Sequence, residues 1–431
     1  MPVRRRAGLA GLLPVAGISA TGSKVSVVAI PWLVLVTTGS AVQTGLVVFA
    51  EMLPFVVLQA FAAPFVDRFG GRRVSVLCDA ASAAILVAVP LLYSTDRLPF
   101  WGLCVLVAVL GAFRGPGENA KHVLVPETVV EARVPMERGA GLLDGVSRVG
   151  SLVGTPLGGV LAATVGAVNA LYMDAASFVV AAVLVQWFVR RRPAGDADAA
   201  RPARVRGYLH DLRAGLAYTV RDPLLRAIAL MVLATNLFDQ ARMAVFIPVW
   251  VKDAVGSATG VGLIGGAFGV GAVLGNALFS AVAHRLPRRI TYACCFLVAG
   301  SPSYFVLAAT DGLPAVLVIS AVSGFTAGAI TPLLGAAEFE RIPEHLRARV
   351  LGAVGALAWA GIPVGGLVAG WLVSTLGLTT ALLAIGGAYL LATVLPFVQP
   401  AWRLMDRDRI RDLSPAEALP ANSSTDGTYR R

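Results

Sequence analysis

The chain has 431 residues, of which 57% are hydrophobic and only 14% charged, with a formal net charge of +11. Soluble globular chains carry about 25% charged residues, so an ordinary soluble domain is excluded. Apolar runs recur along almost the whole length, each long enough to cross about 30 Å of hydrocarbon. The chain reads as an all-α polytopic membrane protein.

Arg4 to Arg6 precede span 1, predicted at 11–37 and read as an uncleaved helix rather than a signal peptide. Spans 2 to 6 are predicted at 42–66, 74–94, 99–120, 141–165 and 168–189. The polar stretch 190–222 follows. Within it, Tyr208 to Tyr218 places apolar residues at helical spacing, which predicts a short amphipathic helix along the membrane surface. Spans 7 to 12 are predicted at 224–251, 257–283, 290–310, 314–337, 349–374 and 378–398. The expected organisation is a six-helix bundle over 1–189, a linker over 190–222, a second six-helix bundle over 223–400 and a tail over 401–431, disordered from Ser414.

Lys and Arg crowd alternate loops, and only Arg97 and Lys252 fall on the loops between them. That asymmetry predicts a multi-pass protein of the inner (cytoplasmic) cell membrane with both termini in the cytoplasm. Orientation and contact with anionic membrane lipids account for the positive charge, so no nucleic-acid partner is expected. Cys78, Cys104, Cys294 and Cys295 lie in apolar runs and read as buried small hydrophobes. The four histidines, His122, His210, His284 and His345, lack metal-ligand spacing, so neither a metal nor a cofactor is expected.

A charged turn, Ala63 to Arg73, interrupts the apolar pattern with Asp67, Arg68, Arg72 and Arg73 around Gly70 and Gly71. A second turn, Ser280 to Arg289, has the same layout at a 217-residue offset, which also aligns Ile30-Pro31 with Ile247-Pro248 and Gly39-Ser40-Ala41 with Gly256-Ser257-Ala258. A further echo aligns Gly154-Thr-Pro156-Leu-Gly158-Gly159 with Gly361-Ile-Pro363-Val-Gly365-Gly366. Glycines, prolines and arginines in register predict two pseudo-symmetric bundles with a ligand path between them.

On these residues the chain resembles the major facilitator superfamily, and within it the drug:proton antiporters grouped with the enterobactin exporter and the macrolide-efflux proteins. Asp67, Arg68, Gly70 and Arg72 stand where the superfamily's loop 2–3 motif has them, with Ala63 in place of its leading glycine. Gly150, Gly154, Pro156, Gly158 and Gly159 resemble the antiporter motif of span 5, with the proline one position late. Arg114-Gly115-Pro116 stands where the span 4 arginine motif falls. The resemblance implies a monomeric, proton-coupled exporter of small amphipathic molecules (drugs, antibiotics, siderophores or other secondary metabolites) working by alternating access, with an importer or facilitator on the same fold, or a non-transporting membrane sensor or assembly partner, as the alternatives. It also implies that Asp67 meets a helix end of the opposite half, while Arg68, Arg72 and Arg73 tie down the turn and carboxylates such as Asp79.

The chain's chemistry fits a gradient-driven transporter. Its three lysines, Lys24, Lys121 and Lys252, do not follow glycine, so no Walker A loop exists to hold a nucleotide. No nucleophile and base are paired as an enzyme requires. Ionisable groups inside spans mark ion or substrate paths. Asp239 of span 7, near Arg242, and Glu51 of span 2 are the candidate coupling carboxylates, with Arg114 a partner for either. The repeat sets Lys24 opposite position 241, so Lys24, Asp239 and Arg242 are expected at one depth. Asp174 reads as a buried hydrogen-bonding group, and Asp144 and Arg148 as a snorkelling pair.

Overall fold

The computed structural model describes residues 2–189, 205–282, 286–343 and 346–406. The linker 190–204, the turn residues His284 and Arg285, His345 and the tail from 407 lie outside them. The described residues form helices α1 Pro2–Thr38, α2 Ala41–Ala60, α3 Ala62–Phe69, α4 Gly71–Ser94, α5 Phe100–Ala132, α6 Met136–Leu161, α7 Ala167–Phe188 and α8 Val205–Arg221. They continue with α9 Pro223–Ala241, α10 Ile247–Ala254, α11 Thr259–Val282, α12 Arg288–Ala299, α13 Ser301–Ala309, α14 Leu313–Arg341, α15 Arg347–Leu376 and α16 Leu378–Val398. Eleven stretches are long and apolar enough to cross a membrane, and one of them, 51 residues from Arg138 to Phe188, holds two crossings. It reverses at Gly166, whose φ of 89° a residue with a Cβ reaches only under strain. The fold has twelve spans in two six-helix bundles, so the two ends of the described residues, Pro2 and Asp406, lie on one face, here the near face.

Three spans are more broken than the sequence suggested. Span 2 bends at Phe61 into α2 and α3, and span 9 bends at Gly300, where Pro302 removes a backbone donor at the start of α13. Span 7 contains a π turn, Arg242–Phe246, between α9 and α10. The amphipathic helix is longer than expected and packs on α9 and α15. Cys294 is exposed, a correction to the burial expected of all four cysteines, because the outer face of a membrane helix is solvated by lipid.

The duplicated residues do the same work in each bundle. Gly154 and Gly158 bring α6 against α1; a Cβ on either would meet that helix's backbone at 2.5–2.9 Å. Their equivalents Gly361 and Gly365 bring α15 against α9, with backbone at 2.2–2.4 Å. Arg72 donates to the carbonyl of Gln186 in the last turn of α7, and its equivalent Arg289 donates to Pro396 and Phe397 O, at 2.9 and 2.7 Å, in the last turn of α16. A cation on the unpaired carbonyls of a helix C-terminus offsets the macrodipole.

Just past the predicted span 314–337, Glu338 is buried near Tyr292, which stacks on Trp402 at 5.5 Å. Burial pushes its carboxyl up from 4.5 to about 7. The folded chain therefore holds a proton that the unfolded chain releases, and stability falls as pH rises from 4.5 to 7. Above pH 7, Glu338→Gln should be more stable than the parent by at most roughly 3 kcal/mol, and below 4.5 the two should converge. Melting temperatures at pH 5 and pH 8 check this.

Candidate transport pathway

The two bundles meet along two seams at the face opposite the termini, the far face. On the first, α2 packs on α15: a Cβ on Gly45 would stand 2.1 Å from the carbonyl oxygen of Gly366, and one on Gly370 2.5 Å from that of Ala41. On the second, α6 packs on α11: a Cβ on Gly159 would stand 2.7 Å from Ala258 O and from the backbone of Gly262, and one on Gly266 2.7 Å from Pro156 Cγ. Lys252 Nζ also reaches across to the carbonyl of Leu35 at 3.3 Å. Small residues let these backbones approach closely. The span 5 motif is thus divided: Gly150, Gly154 and Gly158 hold α1 within their own half, while Thr155, Pro156 and Gly159 reach the other bundle.

Toward the near face the seams part. Gly141 and Gly145 continue the α11-facing side of α6, yet a Cβ on either would meet nothing within 4 Å. Gly352 and Gly355 do the same on the α2-facing side of α15. The rings of Phe55 and Trp359, 6.4 Å apart and nearly parallel, face each other where the α2–α15 seam ends. The cleft between the halves is open to the near face and shut at the far face.

Asp239 lines this cleft, its side chain 41% exposed although it lies midway along its span. Arg242 Nη2 donates to its Oδ1 at 3.2 Å and Tyr389 Oη to its Oδ2 at 3.3 Å. Arg242 begins the π turn, is itself buried, donates to Ser303 Oγ at 3.1 Å and sits 5.8 Å over the Phe268 ring. Single π turns inside α-helices often occur at functional sites. Here the turn re-aims the arginine onto a carboxylate three residues before it.

Glu51 is enclosed, its side chain 4% exposed, and Arg114 Nη1 donates to its Oε1 at 2.6 Å. Arg114 is therefore committed to Glu51 rather than Asp239. Lys24 lies among the charges of its own half, with Arg114 and Glu118 as its electrostatic neighbours. Shared depth with Asp239 and Arg242 does not bring it beside them: the repeat fixes depth along the membrane normal, not the direction in which a side chain leaves its helix. Sequence reasoning did not find the Lys121 constellation, and it singled out Asp174 as a buried hydrogen-bonding group without its partners. Lys121 Nζ donates to Asp79 Oδ1 at 2.8 Å and Ser19 Oγ at 2.9 Å, and Asp174 is fully buried with Ser26 and Ser177. Asp144 and Arg148 pair at 2.7 Å on an exposed surface.

The charged turn is not latched in this state. Asp67 is exposed and has no side-chain partner among the described residues, and Arg73 is exposed. Arg68 sits 5.5 Å over the ring of Phe69. Asp79 pairs with Lys121 and not with the turn's arginines, a further correction, because Asp79 lies two turns inside α4 and faces α5. A cavity of about 510 Å³ between α1, α6 and α7, walled by Ile18, Val149, Val153 and Met173, belongs to one bundle and not to the cleft. No cluster of metal-ligating side chains occurs among the described residues.

The sequence matches the family described as Major Facilitator Superfamily over residues 12–253 and 229–425. It is 32% identical over 390 residues to "Multidrug efflux pump Tap" of Mycolicibacterium fortuitum, covering 89% of this chain and 94% of that one. It is 32% identical over 400 residues to the pump of the same name in Mycobacterium tuberculosis, covering 90% and 92%. Among solved structures, a variant of the nucleoside transporter NupG superposes with a TM-score of 0.74 at 13% identity, over 90% of this chain and 98% of that one. A bacterial homologue of the human lysosomal transporter Spinster does so at 0.69 and 13%, over 92% and 96%.

Proposed function

Because the chain belongs to the Major Facilitator Superfamily, a family of transporters rather than enzymes, we propose that it is a proton-coupled exporter of small amphipathic drug-like molecules working by alternating access. Similarity to the multidrug efflux pumps over nine-tenths of their length supports efflux. The observation that carries the coupling is Asp239: of the two candidate carboxylates, this one faces the open cleft, while Glu51 is enclosed with Arg114. A carboxylate deep in the membrane yet in contact with water can take a proton or a cationic group from the near side. Its pairing with Arg242 and Tyr389 then responds to whichever arrives. Glu51 and Arg114 form the enclosed half of the same machinery, and Lys24 adjusts the field around them.

The near face is cytoplasmic in this reading, and the protein lies in the inner membrane with lipid around its exposed apolar faces. Asp67 then docks on the opposite bundle only when the near face closes, and its exposure here belongs to the cytoplasm-open state. In everted vesicles, Asp239→Asn should abolish substrate accumulation driven by an imposed proton gradient. Undiminished accumulation by that variant overturns the coupling. Accumulation in the opposite direction would make the protein an importer on the same fold.

A further inference from the structure

We infer that the outer edge of α8 is a docking surface for anionic phospholipid headgroups, and that through α15 this contact favours the near-open form. The two sides of α8 carry the inference. The inner side is fastened to the C-terminal bundle. Gly215 lets α8 lie backbone to backbone on α15, since a Cβ there would stand 2.2 Å from the carbonyl oxygen of Arg349. Thr219, one turn on, is buried and donates its hydroxyl to Gly215 O at 2.9 Å. Tyr218 packs with Leu225, Ile342, Val350 and Val354. Asp222 locks the corner that follows. Its Oδ1 accepts from the backbone N–H of Leu224 and Leu225 at the start of α9, and its Oδ2 from Arg341 Nε at 2.8 Å.

The outer side is both apolar and cationic. Leu216 and Val220, one turn apart, are 41% and 49% exposed, and Arg213 falls on the same edge at helical spacing. Arg213 and Arg221 are exposed and have no side-chain partner among the described residues.

What this edge meets follows from α15. The side of α15 beneath α8, Arg349 and Ala353, continues at helical spacing to Val364 and Trp371, both exposed. Trp371 lies in the far half, where the cleft is shut, so that side of α15 faces lipid. Helix α8 therefore lies on the lipid side, at the level of Arg349, where the span begins. Exposed leucine and valine beside unpaired arginines are the pattern of a helix lying in the headgroup layer, and arginines there are drawn to anionic lipids. The same α15 carries Gly352 and Gly355 toward α2. Closing the near face rocks the near end of α15 toward α2 and swings its lipid side out of the headgroup layer. Headgroups that hold α8 resist that swing.

Electron-resonance distance measurements on the full-length protein in liposomes test this, with no gradient or substrate present. Spin labels go at Val130 and Pro343, exposed near the near-face ends of α5 and α14, in a chain carrying Cys294→Ser to remove the exposed thiol. Replacing a third of the phosphatidylcholine with phosphatidylglycerol should enrich the longer distance, by at most about fivefold in population ratio for each arginine. Arg213→Gln with Arg221→Gln should lose the response, and Arg213→Lys with Arg221→Lys should keep it, because a surface potential reads charge. A single label at Leu216→Cys should be relaxed by oxygen dissolved in lipid more than by a water-soluble nickel chelate. No response in the parent, or a response that survives the glutamine pair, overturns the inference. So does a label at 216 that is reached only from water, which would point to a soluble partner instead. Failure of Asp239→Asn to stop proton-driven transport would sink the coupling reading and leave these outcomes unaffected.

Discussion

Alanine at Gly45 should open the far face. Its Cβ would stand 2.1 Å from the carbonyl oxygen of Gly366, and neither backbone can yield without parting the α2–α15 seam. Overpacking of this kind costs about 1–3 kcal/mol, which moves a two-state population by roughly 5- to 150-fold. Spin labels near Gly39 and Gly377 should report a wider far face and a narrower near face. Leucine at Gly355 should hold the near face open. A Cβ there meets nothing in this state, so the near-open form tolerates the side chain. Closure of the near face against α2 does not, and transport should stop with the far-face distance unchanged. Normal turnover by Gly355→Leu would mean that this surface never packs.

The second large effect is expected at Arg114. Replacing it with leucine leaves Glu51 buried without its cation, which typically costs about 3–5 kcal/mol. The melting temperature in detergent should fall sharply, and Arg114→Leu combined with Glu51→Gln should recover most of the loss, because the penalty belongs to the stranded charge. A double variant no more stable than Arg114→Leu would place the cost in packing instead. The pair is a poor source of stability for its size, and its retention fits a role in switching better than one in holding the bundle together.

The architecture was legible because it rests on residues whose reasons are local. Apolar runs set the twelve spans, and glycine, proline and arginine in register exposed the duplication. The structure supplied its content: Gly154 and Gly361 each seat a neighbouring helix, and Arg72 and Arg289 each cap one. Partners inside the membrane were less legible. Depth could be read from position along a span, so Glu51, Arg114 and Asp239 were singled out. Azimuth could not, so the depth that Lys24 shares with Asp239 did not reveal Glu118 as its neighbour, and the Asp79–Lys121 pair stayed unseen. The conformational state was beyond reach for a simpler reason. Glycines line both ends of each seam, and nothing in their order says which end is closed.

The bond from Lys252 to Leu35 joins two positions that the repeat makes equivalent, since they are 217 residues apart. The two copies of one site therefore meet each other on the axis that relates the bundles. A pair of identical subunits would place the same side chain on both sides of that axis, and two lysines there would repel. A fused chain, free to let its halves diverge, can put a donor on one side and keep only a backbone acceptor on the other.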